Sequence, residues 1–113
     1  TIDALEAALE QKADCLLCGD DEIACEVMRE LRNRHILVPQ DLRVASLYDS
    51  SMLASITPSV SAVQYDAEQL GRTACRMLLD HLAGKETVQR QIEGYQVILR
   101  ESTKWNGRTN DAR

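Results

Sequence analysis

The chain has 113 residues, 44% of them hydrophobic and 27% charged, with a net charge of −5. That length supports one small domain, roughly 65% of whose unfolded surface is buried on folding. The acidic balance excludes nucleic-acid binding through the chain's own surface, which needs clustered Lys and Arg, and no apolar run approaches the ~20 residues of a membrane span.

Phe is absent and there is one Trp, which argues against a base-stacking platform. The start, Thr1-Ile2-Asp3-Ala4, has no basic region and no apolar signal core, so no secretory leader is expected in it. It lacks an initiator Met, as a cut from a longer protein would. An acidic surface fits a soluble cytoplasmic module.

Along the chain, residues 1–12 carry Ile2, Leu5, Ala8 and Leu9 at helical spacing. Cys15 to Cys18 is expected as a short buried strand. Gly19-Asp20-Asp21-Glu22 opens a second helix, with acidic residues at the positive end of its dipole. Its apolar stripe is Ile23, Ala24, Val27, Met28 and Leu31, and Pro39 lies past its end. Leu42 to Leu47 is expected as a strand, Tyr48-Asp49-Ser50-Ser51 as the loop at its carboxyl end, and Met52 to Ile56 as a helical turn. Val60 to Gln64 is a third strand. Asp66, with Gln69 three residues on, gives the next helix a capping-box-like start. Leu70, Ala74, Met77, Leu78 and His81 form its stripe, and Gly84 is its C-terminal stop. Ile92 to Leu99, interrupted by Gly94, is expected as the last strand, followed by a polar tail from Lys104. Strands alternating with amphipathic helices indicate an α/β fold whose sheet is largely parallel and flanked by helices.

The four cysteines are expected to be reduced, buried residues acting as small hydrophobes. Cys15 and Cys18 have C-x-x-C spacing, but no second pair completes a zinc site, and His35 and His81 stand alone. Reduced thiols fit a reducing cytosol better than a periplasm. Catalysis lacks support: there is no G-x-S-x-G elbow, phosphate loop or H-E-x-x-H, so neither enzyme activity, metal nor cofactor is expected.

In open α/β sheets, ligands bind at the carboxyl ends of strands. Three such ends are polar here: Gly19-Asp20-Asp21, Ser46-Leu47-Tyr48-Asp49-Ser50 and Gln64-Tyr65-Asp66. Carboxylates and amides there can accept hydrogen bonds from sugar hydroxyls or purine edges. Asp20 and Asp49 are the sharpest candidates, although Asp20 serves equally well as a helix cap and Asp49 as the start of an Asx turn.

Five stretches in order carry a family resemblance. Ala13 to Ala24 resembles a strand followed by an N-D-x-x-A helix start; Val38-Pro39-Gln40-Asp41-Leu42-Arg43-Val44 resembles V-P-x-D-[IV]-x-V. Leu47-Tyr48-Asp49-Ser50 stands where the family has F-D-D-S, and Thr57 to Gln64 resembles T-P-P-L-T-T-V-x-Q. Leu70-Gly71 and Leu99-Arg100-Glu101-Ser102-Thr103 resemble the closing helix and the L-x-x-R-x-S-T end. From Asp14 to Thr103 the chain thus resembles the carboxyl-terminal part of the effector-binding region of lactose-repressor/galactose-repressor (LacI/GalR) transcription regulators.

The resemblance implies a periplasmic-binding-protein-like half-domain in which residues 1–63 belong to a carboxyl-terminal lobe. Residues 64–84 supply a helix of the amino-terminal lobe, 92–103 a returning strand and 104–113 a tail. It implies a sugar-like or nucleoside-like effector, with Asp20, Tyr48, Asp49 and Gln64 at its site. Asp20 replaces the family's effector-binding asparagine, and Tyr48 replaces the first aspartate of F-D-D. Asp49 keeps the second aspartate, and Gln64 matches the hinge glutamine. It also implies a homodimer contacting through Ile23, Val27, Met28, Met52 and Ile56, some of which must also serve the core. DNA binding would belong to a helix-turn-helix head outside this sequence. A transport solute-binding protein of the same fold is the alternative function.

Overall fold

The computed structural model describes residues 1–87 and 94–104. In chain order it has α1 (Ile2–Glu10), β1 (Cys15–Cys18), α2 (Asp21–Asn33), β2 (Arg43–Ser46) and α3 (Ser51–Ser55). β3 (Ser61–Tyr65), α4 (Ala67–Leu82), β4 (Tyr95–Ile98) and a closing 3-10 turn (Glu101–Thr103) follow. The expected order of elements is observed, with the turn near Met52 realised as α3. The first residues of the expected last strand, Ile92 and Glu93, lie outside the described residues, as does the tail beyond Lys104. The described residues divide into two compact units, one of residues 1–64 with 97–104 and one of 65–87 with 94–96.

Capping chemistry sets the helix boundaries. The Asp20 carboxylate accepts the Ile23 N–H at 2.8 Å, and that of Asp66 accepts the Gln69 N–H at 3.0 Å. Each satisfies an amide that a helix start leaves without an intrahelical partner. At its carboxyl end α2 closes with His35 N–H on the Arg32 carbonyl at 3.0 Å and Ile36 N–H on the Leu31 carbonyl at 2.9 Å. This is the paired arrangement that a left-handed residue makes possible. Lys12 (φ 55°), His35 (φ 59°) and Gly84 (φ 77°) occupy that left-handed position after α1, α2 and α4.

The strands lie in the order β1-β2-β3-β4. β1 and β2 are parallel, Cys15 facing Arg43 and Cys18 facing Ser46; β2 and β3 are parallel, Ser46 facing Ala62. Period-two alternation turns Cys18, Val44 and Ala62 to one face, where they join Ala24, Val27, Met28 and Leu31 of α2, Leu5 of α1 and Leu53 of α3. That cluster is the core, and burying each large aliphatic there contributes roughly 1.5–3 kcal/mol. The predicted stripe of α2 is thus buried, apart from half-buried Ile23.

Two expectations need correction. The β1 strand is not buried throughout: Cys15 is exposed and Leu17 is 64% exposed, and only Cys18 is buried. Alternation sends Cys15 and Leu17 to the second face of the sheet, which the 3-10 turn covers only around β2 and β3. Nor are all four cysteines buried: Cys25 is half-buried and Cys75 exposed. Cys15 and Cys18 point to opposite faces of β1, so their spacing brings no shared metal site.

In the smaller unit, α4 buries none of its residues. Its expected stripe is not a core face: Met77 is half-buried, while Leu70, Leu78 and His81 are exposed. Among the described residues this unit contains no second helix against which the stripe could pack.

Candidate functional site

The parallel register brings the carboxyl ends of β1, β2 and β3 to one edge of the sheet. Neighbouring strands are about 4.8 Å apart, so the three polar ends fall within roughly 10 Å of each other. At the first, Asp20 is half-buried and extended (φ −150°, ψ 179°), one carboxylate oxygen holding the start of α2. Its capping role and its place at the edge coexist, because the second oxygen is not used in the cap.

At the second end, buried Ser46 shapes the loop. Its hydroxyl donates to the Tyr48 carbonyl at 2.7 Å and accepts the Tyr48 N–H at 3.2 Å. The adjacent Leu47 N–H continues the ladder to the Cys18 carbonyl at 2.9 Å. Tyr48 therefore leaves the sheet and is 49% exposed. The Ser50 hydroxyl beside it is buried without a partner among the described residues. At the third end, Gln64 is exposed.

Asp49 differs from the others. Arg100 donates to its two oxygens at 2.6 and 2.9 Å, a fork-to-carboxylate pair whose side chains are only 7% and 16% exposed for Asp49 and Arg100. The hydrogen bonds and charge of Arg100, together with the Ser50 N–H, hold the Asp49 carboxyl below its ordinary value against the opposing effect of burial. The same pair raises Arg100. Burial, reinforced by the charge of Asp20, pushes the nearby Cys18 thiol up to about 11, so it stays protonated at neutral pH.

Arg100 begins a segment whose roles sequence reasoning missed. Its N–H donates to the Ser61 hydroxyl at 2.8 Å, and its guanidinium also reaches the Val60 carbonyl at 2.8 Å. Fully buried Ser102 accepts the Ser61 N–H at 2.9 Å and donates to the Val44 carbonyl. Ser102 N–H meets the Ser59 carbonyl, and the Glu101 carboxylate accepts the Ser59 N–H. The sequence signal was an Arg ahead of Ser-Thr after a strand, too common an ending to assign contacts some 40 residues away.

Of the expected dimer residues, Val27 and Met28 are in the core, Ile23 and Ile56 pack partly against it, and Met52 is exposed. No helix among the described residues is long and apolar enough to cross a membrane.

The fold matches known proteins. The family model for periplasmic binding protein-like domains matches residues 2–103, and the chain belongs to that family. The HTH-type transcriptional repressor PurR of Erwinia tasmaniensis is 28% identical over 106 residues, 94% of this chain and 31% of that protein. A PurR-family transcriptional regulator from Vibrio parahaemolyticus superposes with a TM-score of 0.71 at 28% identity, over 91% of this chain and 38% of the other. A LacI-family transcriptional regulator from Arthrobacter sp. FB24, solved in complex with lactose, gives 0.67 at 26% identity, over 89% and 39%. The chain spans about a third of the length of these relatives. They are transcription regulators, so the LacI/GalR resemblance carried by the five motifs holds, as does the α/β fold it implied.

Proposed function

We propose that this chain is the ligand-sensing part of a cytoplasmic DNA-binding transcription regulator. A small polar effector binds at the carboxyl edge of β1, β2 and β3. The observation that carries this reading is the convergence of three polar strand ends on one edge. Asp20 accepts hydroxyl donors through the oxygen its cap leaves over, Tyr48 offers a phenol that both donates and accepts, and Gln64 offers an amide. The lactose-bound Arthrobacter relative supports a neutral, hydroxyl-rich ligand. Effector binding would shift populations between conformations of different operator affinity, with DNA contacts made by a head outside this chain.

In this reading residues 1–63 belong to one lobe, 64–84 supply a helix of the other, 92–103 return to the first and 104–113 form the tail. Exposed Met52, with the rims of Ile23 and Ile56, is the part of the expected dimer surface left after Val27 and Met28 enter the core.

The test is calorimetric titration of the full-length regulator with lactose, other disaccharides and nucleosides, alongside salt-dependent operator binding. Saturable binding that weakens in Tyr48→Ala and changes operator affinity is expected. Unchanged binding in that variant, or no operator binding at any salt concentration, would overturn the reading.

A further inference from the structure

We propose that Asp49 and Arg100 are positioning residues for the effector edge, holding Tyr48 in place without touching ligand themselves; this rests on the effector reading above. Tyr48 is half exposed, and no hydrogen bond holds its phenol among the described residues. Its direction is therefore set by its own main chain. On one side that main chain is pinned twice by Ser46. On the other side the next residue, Asp49, is gripped by both arms of Arg100.

Arg100 is a firm anchor because four contacts fix it. Its backbone donates to Ser61, its guanidinium reaches the Val60 carbonyl, and two arms meet Asp49. Ser102, two residues on, is buried against β2 and β3. The pair thus ties the loop after β2 to β3 and to the chain leaving β4. Asp49 has little to offer a ligand: its carboxylate is nearly enclosed and neutralised by a guanidinium. A bidentate fork fixes direction as well as distance, which a lysine cannot reproduce.

The experiment uses the full-length protein without effector, measuring native-state amide hydrogen exchange in wild type, Asp49→Asn, Arg100→Lys and the charge-reversed double variant Asp49→Arg/Arg100→Asp. Lactose titration is run in parallel as the binding probe. In both single variants the Tyr48 and Ser50 amides should exchange about tenfold faster, the change expected for losing roughly one charge-assisted hydrogen bond. The Ala24 and Leu31 amides of α2 should not change, and the double variant should recover most of the loop's protection. Should Asp49→Asn fail to fold, Arg100→Lys decides alone. Exchange that is unchanged, or that rises equally in the loop and α2, overturns the proposal. Lactose binding by wild type that the single variants weaken and the double variant restores supports it, since an arginine at position 49 cannot replace a ligand-contacting carboxylate. Binding lost in the double variant despite restored protection would make Asp49 a ligand contact and overturn it. If no lactose binding occurs even in wild type, the choice of effector falls while the exchange data still decide the pair.

Discussion

Asp20 does two jobs, and substitution separates them. Asp20→Ala removes the α2 cap and should lower stability by about 1 kcal/mol, whereas Asp20→Asn keeps a capping oxygen and should cost only a few tenths. Both variants should weaken effector binding, because both remove the carboxylate; urea unfolding and calorimetry check the two halves. His35 holds a left-handed conformation that only glycine adopts without strain. His35→Gly should therefore raise stability by about 1 kcal/mol in the same unfolding assay, since the strain relieved outweighs the added freedom of the unfolded chain. Asp49 gives a pH signature. In the folded chain Arg100 depresses its carboxyl value, while the unfolded chain titrates near the ordinary ~3.9. The pair's contribution is thus complete above that pH and is lost as acid carries the pH down through the depressed folded value. The stability gap between wild type and Asp49→Asn should stay constant around neutrality and close below about pH 4. At this scale Asp20 and Asp49 were visible as candidates from their places after strands. Which of them is engaged by a cation was not, because Arg100 lies 51 positions away from Asp49.

At the scale of elements, the contrast between α2 and α4 is the most instructive. Both have helical apolar periodicity and an aspartate cap, and periodicity alone cannot say what a stripe packs against. Leu31 of α2 is fully buried, whereas Leu79 of α4 is 65% exposed. Leu31→Ala should cost 2–5 kcal/mol by the usual scale for core truncation, roughly, while Leu79→Ala in this chain should stay within about 0.5 kcal/mol. Thermal or urea unfolding of the two variants checks this directly. The closing 3-10 turn makes the opposite point, since a short polar segment with no periodicity proves structurally central. Ser102→Ala would strand the buried Ser61 N–H and a hydrogen-bonding site on the Val44 carbonyl, so a loss of about 1–3 kcal/mol is expected.

For the whole molecule, thiol accessibility reports the two-faced sheet. A disulfide reagent at mildly alkaline pH should modify exposed Cys15 and Cys75 of the native chain and leave Cys18 unreacted until unfolding, because Cys18 is buried and its thiol value is about 11. Mass mapping of the labelled peptides identifies the sites, and rapid native labelling of Cys18 would contradict the core described above. The sequence by itself determined the order of elements, the α2 stripe, the cap at Asp66, the stop at Gly84 and the family. These rest on local chemistry, or on short motifs that survive as strings of residues. Tertiary structure alone decided that Leu17 and most of the α4 stripe stay exposed, that Val27 and Met28 serve the core, and that Arg100 and Ser102 lock the segment after β4 to β2 and β3. Burial and ion pairing depend on which distant segments meet, and a side chain's own neighbours in sequence carry no record of that meeting.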